Sequence, residues 1–178
     1  MISGAVKPFI LILVLISLTS VSLTRNSLWI TDVQLWGDTV VKNPRSVRAN
    51  LNLGAAYNEK GVLDTALHYY RIAVDLNPNS SEAHNGLGVV YMYQDRLDAA
   101  YEQYTAAIRL NPNHAATHYN MGLQYLNRGE SYYDKAAEEF EAAIRIDPFF
   151  DDAVHLLLYI KKNGPRAAAY SLKRPPPN

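Results

Sequence analysis

The sequence contains no cysteine. That excludes disulfides, thiolate metal sites, a cysteine nucleophile and attached c-type haem. It leaves the compartment open. The chain also lacks a charge excess, with 17 Lys and Arg against 17 Asp and Glu. Phosphate binding needs a basic face, so no nucleic-acid partner is expected. No P-loop, dinucleotide glycine pattern or nucleophile elbow is present. The expectation is therefore no catalytic residue, no cofactor and no small-molecule substrate.

The five histidines stand at 68, 84, 114, 118 and 155. His114 and His118 are four apart and can share a helix face. A zinc site needs three or four converging ligands, and no motif supplies them. These histidines read as packing or helix-end residues, and no metal site is expected. Glu138, Glu139 and Glu141 read as the solvated face of a helix. One local imbalance exists: Lys161, Lys162, Arg166, Lys173 and Arg174 occur in the last 18 residues without an acid.

Long apolar runs are confined to the N-terminus. Residues 1–23 carry one charged side chain, Lys7, and Arg25 follows. Two readings stay open. As a membrane anchor, residues 6–23 are at the short end of what spans a bilayer, and hydroxyl residues there can bond back to their own helix. As a cleaved signal, Lys7 marks the n-region and Ser20-Val21-Ser22 the small-x-small site. Both place the remainder outside the cytoplasm, periplasmic or extracellular.

The remainder repeats. Glycines at 54, 88 and 122 are spaced by 34, as are tyrosines at 57, 91 and 125. Ala66, Ala100 and Ala136 follow, then Tyr70, Tyr104 and Phe140, then Ala73, Ala107 and Ala143. Units close on Asn77-Pro78, Asn111-Pro112 and Asp147-Pro148. The third unit is longer by two residues, between Gly129 and Ala136. A period of this length marks stacked supersecondary units. Leu53 and Tyr57 share a helix face, and Gly54 lets a partner helix approach. Ala66, Tyr70 and Ala73 form the buried stripe of a second helix. Proline ends that helix, because it lacks an N–H and restricts the residue before it. Helix pairs are predicted near 45–59 and 62–76, 81–93 and 96–110, and 115–127 and 131–146. Gly61 and Gly129 suit the turn within a pair, whereas Asp95 requires another solution.

The ladder continues outward. Pro44 precedes Pro78 by 34, and Trp29, Val33, Trp36 and Val40 keep helical spacing. Residues 26–44 read as a half-repeat helix capping the array. Asp151–Lys162 reads as one more first helix, with Val154, Leu157 and Leu158 inward. Such atypical ends are needed where stacking stops. The organisation is a signal-anchor or signal peptide (1–25), the half-repeat (26–44), three units (45–80, 81–114, 115–150), a C-terminal cap (151–174) and a loose tail (175–178). The fold class is all-α, a helical-hairpin solenoid of three full repeats with partial flanking repeats, after an N-terminal hydrophobic helix.

These columns resemble the tetratricopeptide repeat (TPR) family: Leu-Gly-x-x-Tyr, the Ala-x-x-x-aromatic-x-x-Ala stripe and the closing proline, over residues 45–150. Residues Thr24–Ala49, with Leu28-Trp29, Leu35-Trp36 and Asn43-Pro44, resemble the junction in mannosyltransferase-like multi-spanning membrane proteins with TPR tails. The catalytic multi-spanning part has no counterpart here. The resemblance implies an adaptor whose concave groove, lined by the first helix of each pair, holds another protein or peptide. It assigns the groove Asn52, Asn85, Val89, Met92, Tyr93, Tyr119, Asn120 and Leu123, with Leu126 beside them. Asn52 and Asn120 occupy the place of the family's asparagine ladder, and Gly86 interrupts it. Of the carboxylate-clamp positions of some relatives only Asn120 agrees, so that clamp is not expected. Two other roles stay open: a permanent subunit of a larger assembly, and the detached tail of a sugar-transferring membrane enzyme system.

Overall fold

The computed structural model describes residues 32–163. The hydrophobic N-terminal segment 6–23, Trp29 and the basic and proline-rich residues 164–178 lie outside the described residues. The elements are α1 (Asp32–Lys42), α2 (Val47–Glu59), α3 (Leu63–Leu76), α4 (Ser81–Tyr93), α5 (Leu97–Leu110), α6 (Ala115–Arg128), a 3₁₀ turn (Glu130–Tyr132), α7 (Tyr133–Ile146) and α8 (Asp151–Asn163). No strand occurs among them. Helices α2 and α3, α4 and α5, and α6 and α7 form antiparallel hairpins, each packed on the next, with α1 and α8 at the two ends. The 3₁₀ turn absorbs the two extra residues of the third unit.

Each boundary has a local cause. At the end of a hairpin, Asn77, Asn111 or Asp147 accepts a bond on its side chain from the backbone N–H two residues on, at 3.1, 3.2 and 3.0 Å. This Asx turn reverses the chain around the proline. Ser46 and Ser80 then cap α2 and α4, accepting from Ala49 and Ala83 N–H at 3.2 Å. Such a cap satisfies one of the orphan donors of the first turn. His114 stands at the same place before α6 without a side-chain cap bond. Within the hairpins the turn residue is left-handed, at φ 71° for Gly61 and 57° for Asp95. Aspartate tolerates that region better than most side chains, so Asp95 repeats the glycine turn. The next amide then closes the same bond, Val62 N–H to Tyr57 and Arg96 N–H to Tyr91, both at 2.9 Å.

The core holds one aromatic per unit packed against glycine: Tyr70 on Gly54 and Gly86, Tyr104 on Gly88 and Phe140 on Gly122. Tyr104 and Phe140 are fully buried and Tyr70 nearly so. A methyl group added at Gly88 would lie 2.5 Å from Tyr104 Cε1, and one at Gly122 2.6 Å from Phe140 Cε1. The alanine columns, among them Ala66, Ala100 and Ala136, have no exposed surface. Small residues let the backbones close, and the ring fills the space beside them.

The ends depart from expectation. Leu158, predicted inward, is 59% exposed, whereas Leu157 is buried as predicted, together with Ala153 and Ile160. Leu158 falls in the glycine column, 36 residues after Gly122, which reflects the longer third unit. That column points towards a second helix of the same unit, and none lies among the described residues. Leu126, predicted in the groove, is 3% exposed and belongs to the core. Glu139 is not on a solvated face, since it pairs with His118.

Candidate functional site

The groove is built by α2, α4 and α6, the first helices of the hairpins. Asn52, Asn85, Val89, Met92, Tyr119, Asn120 and Leu123 are all half-buried, and Tyr93 is exposed at 53%. The structure brings two of these together. Asn120 Nδ2 donates to Asn85 Oδ1 at 3.0 Å, across neighbouring units. The bond uses one donor of Asn120 and the acceptor oxygen of Asn85. The Asn85 N–H groups and the Asn120 carbonyl oxygen take no part in this bond.

Gly86 does not break the line by chance. Its missing side chain is where the Tyr70 ring lies: a Cβ there would be 2.4 Å from Tyr70 Cε1. The ring passes between Gly54 and Gly86, so an asparagine is excluded at 86. Asn85, one place earlier, takes up the bond instead. Asn52 stands one unit further towards the N-terminus, in an open cleft of about 580 Å³ that also contains Arg48, Leu51, Tyr70, Glu82 and Asn85.

Aromatic groups form the other half of the groove. Tyr119 packs on Phe140 and Phe150, with ring centroids 5.7 and 5.0 Å apart. Burial raises its phenol pKa, and the charges of Asp152 and Tyr93 add to the shift. Tyr70 is pushed up to about 12, chiefly by burial and then by Glu59. Both phenols therefore stay neutral at physiological pH and offer O–H groups. The Tyr104 hydroxyl lies 4.0 Å from Met92 Sδ.

Away from the groove, one place recurs with a role that the residue types hide. Asn50, His84 and His118 each bond the carbonyl of the proline six residues earlier, Pro44, Pro78 and Pro112, at 3.0, 3.1 and 3.0 Å. The two histidines then reach the second helix of their hairpin, His84 Nδ1 to Gln103 at 2.8 Å and His118 Nδ1 to Glu139 at 2.7 Å. His118 faces two acceptors and needs a proton on each nitrogen. Its pKa is raised, first by the Glu139 hydrogen bond, with burial and Arg145 opposing. These ties hold the hairpins. No cluster of three or more metal-binding side chains occurs among the described residues.

An array of helical hairpins with a polar, aromatic groove defines the class: an interaction solenoid. Models of the tetratricopeptide repeat match residues 81–114 and 103–138, and a TPR repeat model matches 54–95. A MamA crystal structure is 30% identical with a TM-score of 0.63, over 77% of this chain and 80% of that one. A second MamA structure is 30% identical at a TM-score of 0.60, over 70% and 67%. The chain belongs to the tetratricopeptide repeat family, whose arrays act as scaffolds for protein and peptide partners. The first TPR of Spaghetti (RPAP3), bound to the HSP90 peptide SRMEEVD, shares the fold at 17% identity and a TM-score of 0.60, over 65% of this chain and 90% of that one. No curated protein matches the chain.

Proposed function

We propose that the chain is a scaffold that holds an extended polypeptide segment along the groove, with backbone amides of the segment bonded by Asn52, Asn85 and Asn120. The observation that carries this reading is the Asn120–Asn85 bond. It leaves the Asn85 N–H donors and the Asn120 carbonyl acceptor outside the bond, and these are the two kinds of group that complement a peptide unit. Leaving such groups buried and unpaired costs about 1–3 kcal/mol, so an apolar ligand is disfavoured. Tyr93, Tyr119, Met92, Val89 and Leu123 supply apolar contact around the amides. Tyrosine gives broad contact at low entropic cost, and methionine adapts to irregular surfaces. The peptide seated on the RPAP3 domain supports the same use of the fold.

The scaffold is tethered at a membrane by residues 6–23, with the array outside the cytoplasm. Support comes from the apolar run Phe9–Ile16 and from the resemblance of residues 24–49 to a membrane-helix junction. No transferase activity comes with that resemblance. Among the described residues no helix is long and apolar enough to cross a membrane, so the tether rests on the N-terminal segment alone. Alkaline carbonate extraction with intact-mass measurement tests it: retention with a terminus at Met1 supports the anchor, and a terminus near Leu23 overturns it. The groove is tested by Asn52→Ala with Asn120→Ala. Partner capture should fall at least about tenfold, as expected from losing hydrogen bonds worth about 1.4 kcal/mol together, with an unchanged helical circular dichroism signal. Full capture by the double variant rejects the groove.

A further inference from the structure

The tyrosine column at 57, 91 and 125 shows what it accepts. In the second hairpin, the Arg96 guanidinium lies 4.5 Å from the Tyr91 ring centroid, and Arg71 donates to the Tyr91 hydroxyl at 3.1 Å. In the third, Lys135 lies 5.8 Å from the Tyr125 centroid. In the first hairpin both cations are missing. Val62 stands 34 residues before Arg96, and Gly37 stands 34 residues before Arg71. Tyr57 is instead stacked on Tyr69, with centroids 5.8 Å apart and planes at 4°. His68 packs edge-on against Tyr69 at 5.2 Å. The space left by the missing side chains stays open: an added Cβ at Gly37 meets nothing within 4 Å. Val62 is 44% exposed.

We infer that the Tyr57–Tyr69 stack, open over Gly37 and Val62, is a docking spot for an arginine or lysine side chain of a partner protein. A cation over an aromatic face is attracted by the ring quadrupole, and guanidinium stacks best. The two other hairpins satisfy the same column from within the chain, by the same chemistry. The first hairpin leaves the place to be filled from outside. Next to these positions in sequence stand the exposed Asp38, Glu59 and Asp64 and one base, Lys60. Asp64 accepts a bond from Gln94 of the next hairpin at 3.2 Å, which leaves Asp38 and Glu59 against Lys60, an acid excess that favours a cationic guest.

The test uses the full chain with N-acetylarginine amide as probe and N-acetylcitrulline amide as its uncharged counterpart. Ring resonances of labelled tyrosines are followed by NMR. The arginine probe should shift the Tyr57 and Tyr69 signals saturably, and the citrulline probe at least about threefold less at equal concentration. Val62→Arg should place a guanidinium over Tyr57, as Arg96 does over Tyr91. It should abolish the response and leave the fold intact, because the turn already accepts arginine at 96. Equal shifts from both probes overturn the inference. So does an undiminished response in V62R. Self-association of the chain that V62R abolishes would assign the spot to the chain's own basic segment and overturn the partner assignment.

Discussion

Gly88→Ala should destabilise the array although it improves helix propensity. Alanine in a helix interior is favoured over glycine by about 1 kcal/mol. The added methyl would lie 2.5 and 2.6 Å from Tyr104 Cε1 and Cδ1. Carbon atoms need about 3.5 Å or more, so the ring has to move by about 1 Å. Tyr104 has no exposed surface, and its hydroxyl rests on Met92, so the ring has no free direction. Overpacking of this kind costs about 1–3 kcal/mol, and the packing term outweighs the propensity gain. The control is Gly54→Ala, whose methyl would lie 3.0 Å from Tyr70 Cδ1. At 3.0 Å rather than 2.5 Å the ring has to give far less, so that substitution should cost less than G88A. Urea denaturation followed at 222 nm should place G88A below G54A by about 1–2 kcal/mol. Combining G88A with Tyr104→Leu should recover at least about 1 kcal/mol of the sum of the single effects, as contacting sites couple. G88A as stable as G54A would refute the close packing of Tyr104 on Gly88.

Further outcomes follow from the same contacts. Ser80→Ala should cost about 1 kcal/mol, because the Ala83 N–H loses its cap; thermal melts check this, and Ser46→Ala should cost less, since α2 packs only on the end helix on its outer side. The raised pKa of His118 means that its contribution is complete below the unfolded value of about 6.5 and is lost as pH rises through the folded value. Melting temperature should therefore fall from that pH upward in the wild type. Glu139→Gln should flatten the dependence, and an identical profile in E139Q would contradict the assignment. Breaking the Arg128–Asp98 pair with Asp98→Ala should change stability by less than about 1 kcal/mol, given the exposure of Asp98.

The period of 34 made the hairpins legible, because proline, glycine and alanine columns each have one steric cause. What the period could not give was the rotation between units. Asn85 and Asn120 sit at different places of their units, the fifth and the sixth, so their bond follows from the superhelical offset. The exclusion of asparagine at 86 required knowing that Tyr70 of the preceding hairpin reaches Gly86. The proline ties of Asn50, His84 and His118 share a repeat position, which was a signal. The mixed residue types concealed it, since an amide and an imidazole look unlike until both are seen donating to the same carbonyl. Buried Gln124, which donates to the Leu97 carbonyl at 3.0 Å, takes a place held by Ala56 and Val90 in the other units. Leu158 escapes the pattern because it lies beyond the two extra residues of the third unit, whereas Leu126 keeps the register of half-buried Met92 and is drawn into the core.

The central claim is that the groove holds a polypeptide through its asparagine amides. Benzoylphenylalanine introduced for Tyr93, exposed in the groove, and separately for Glu138, exposed on α7, allows photo-crosslinking in native membranes. Mass spectrometry then identifies what is attached. Crosslinking of a defined polypeptide segment from position 93, reduced at least about tenfold by Asn85→Ala with Asn120→Ala in a folded protein, is the predicted result. Crosslinking from position 138 alone, or from 93 without dependence on the asparagines, would contradict it.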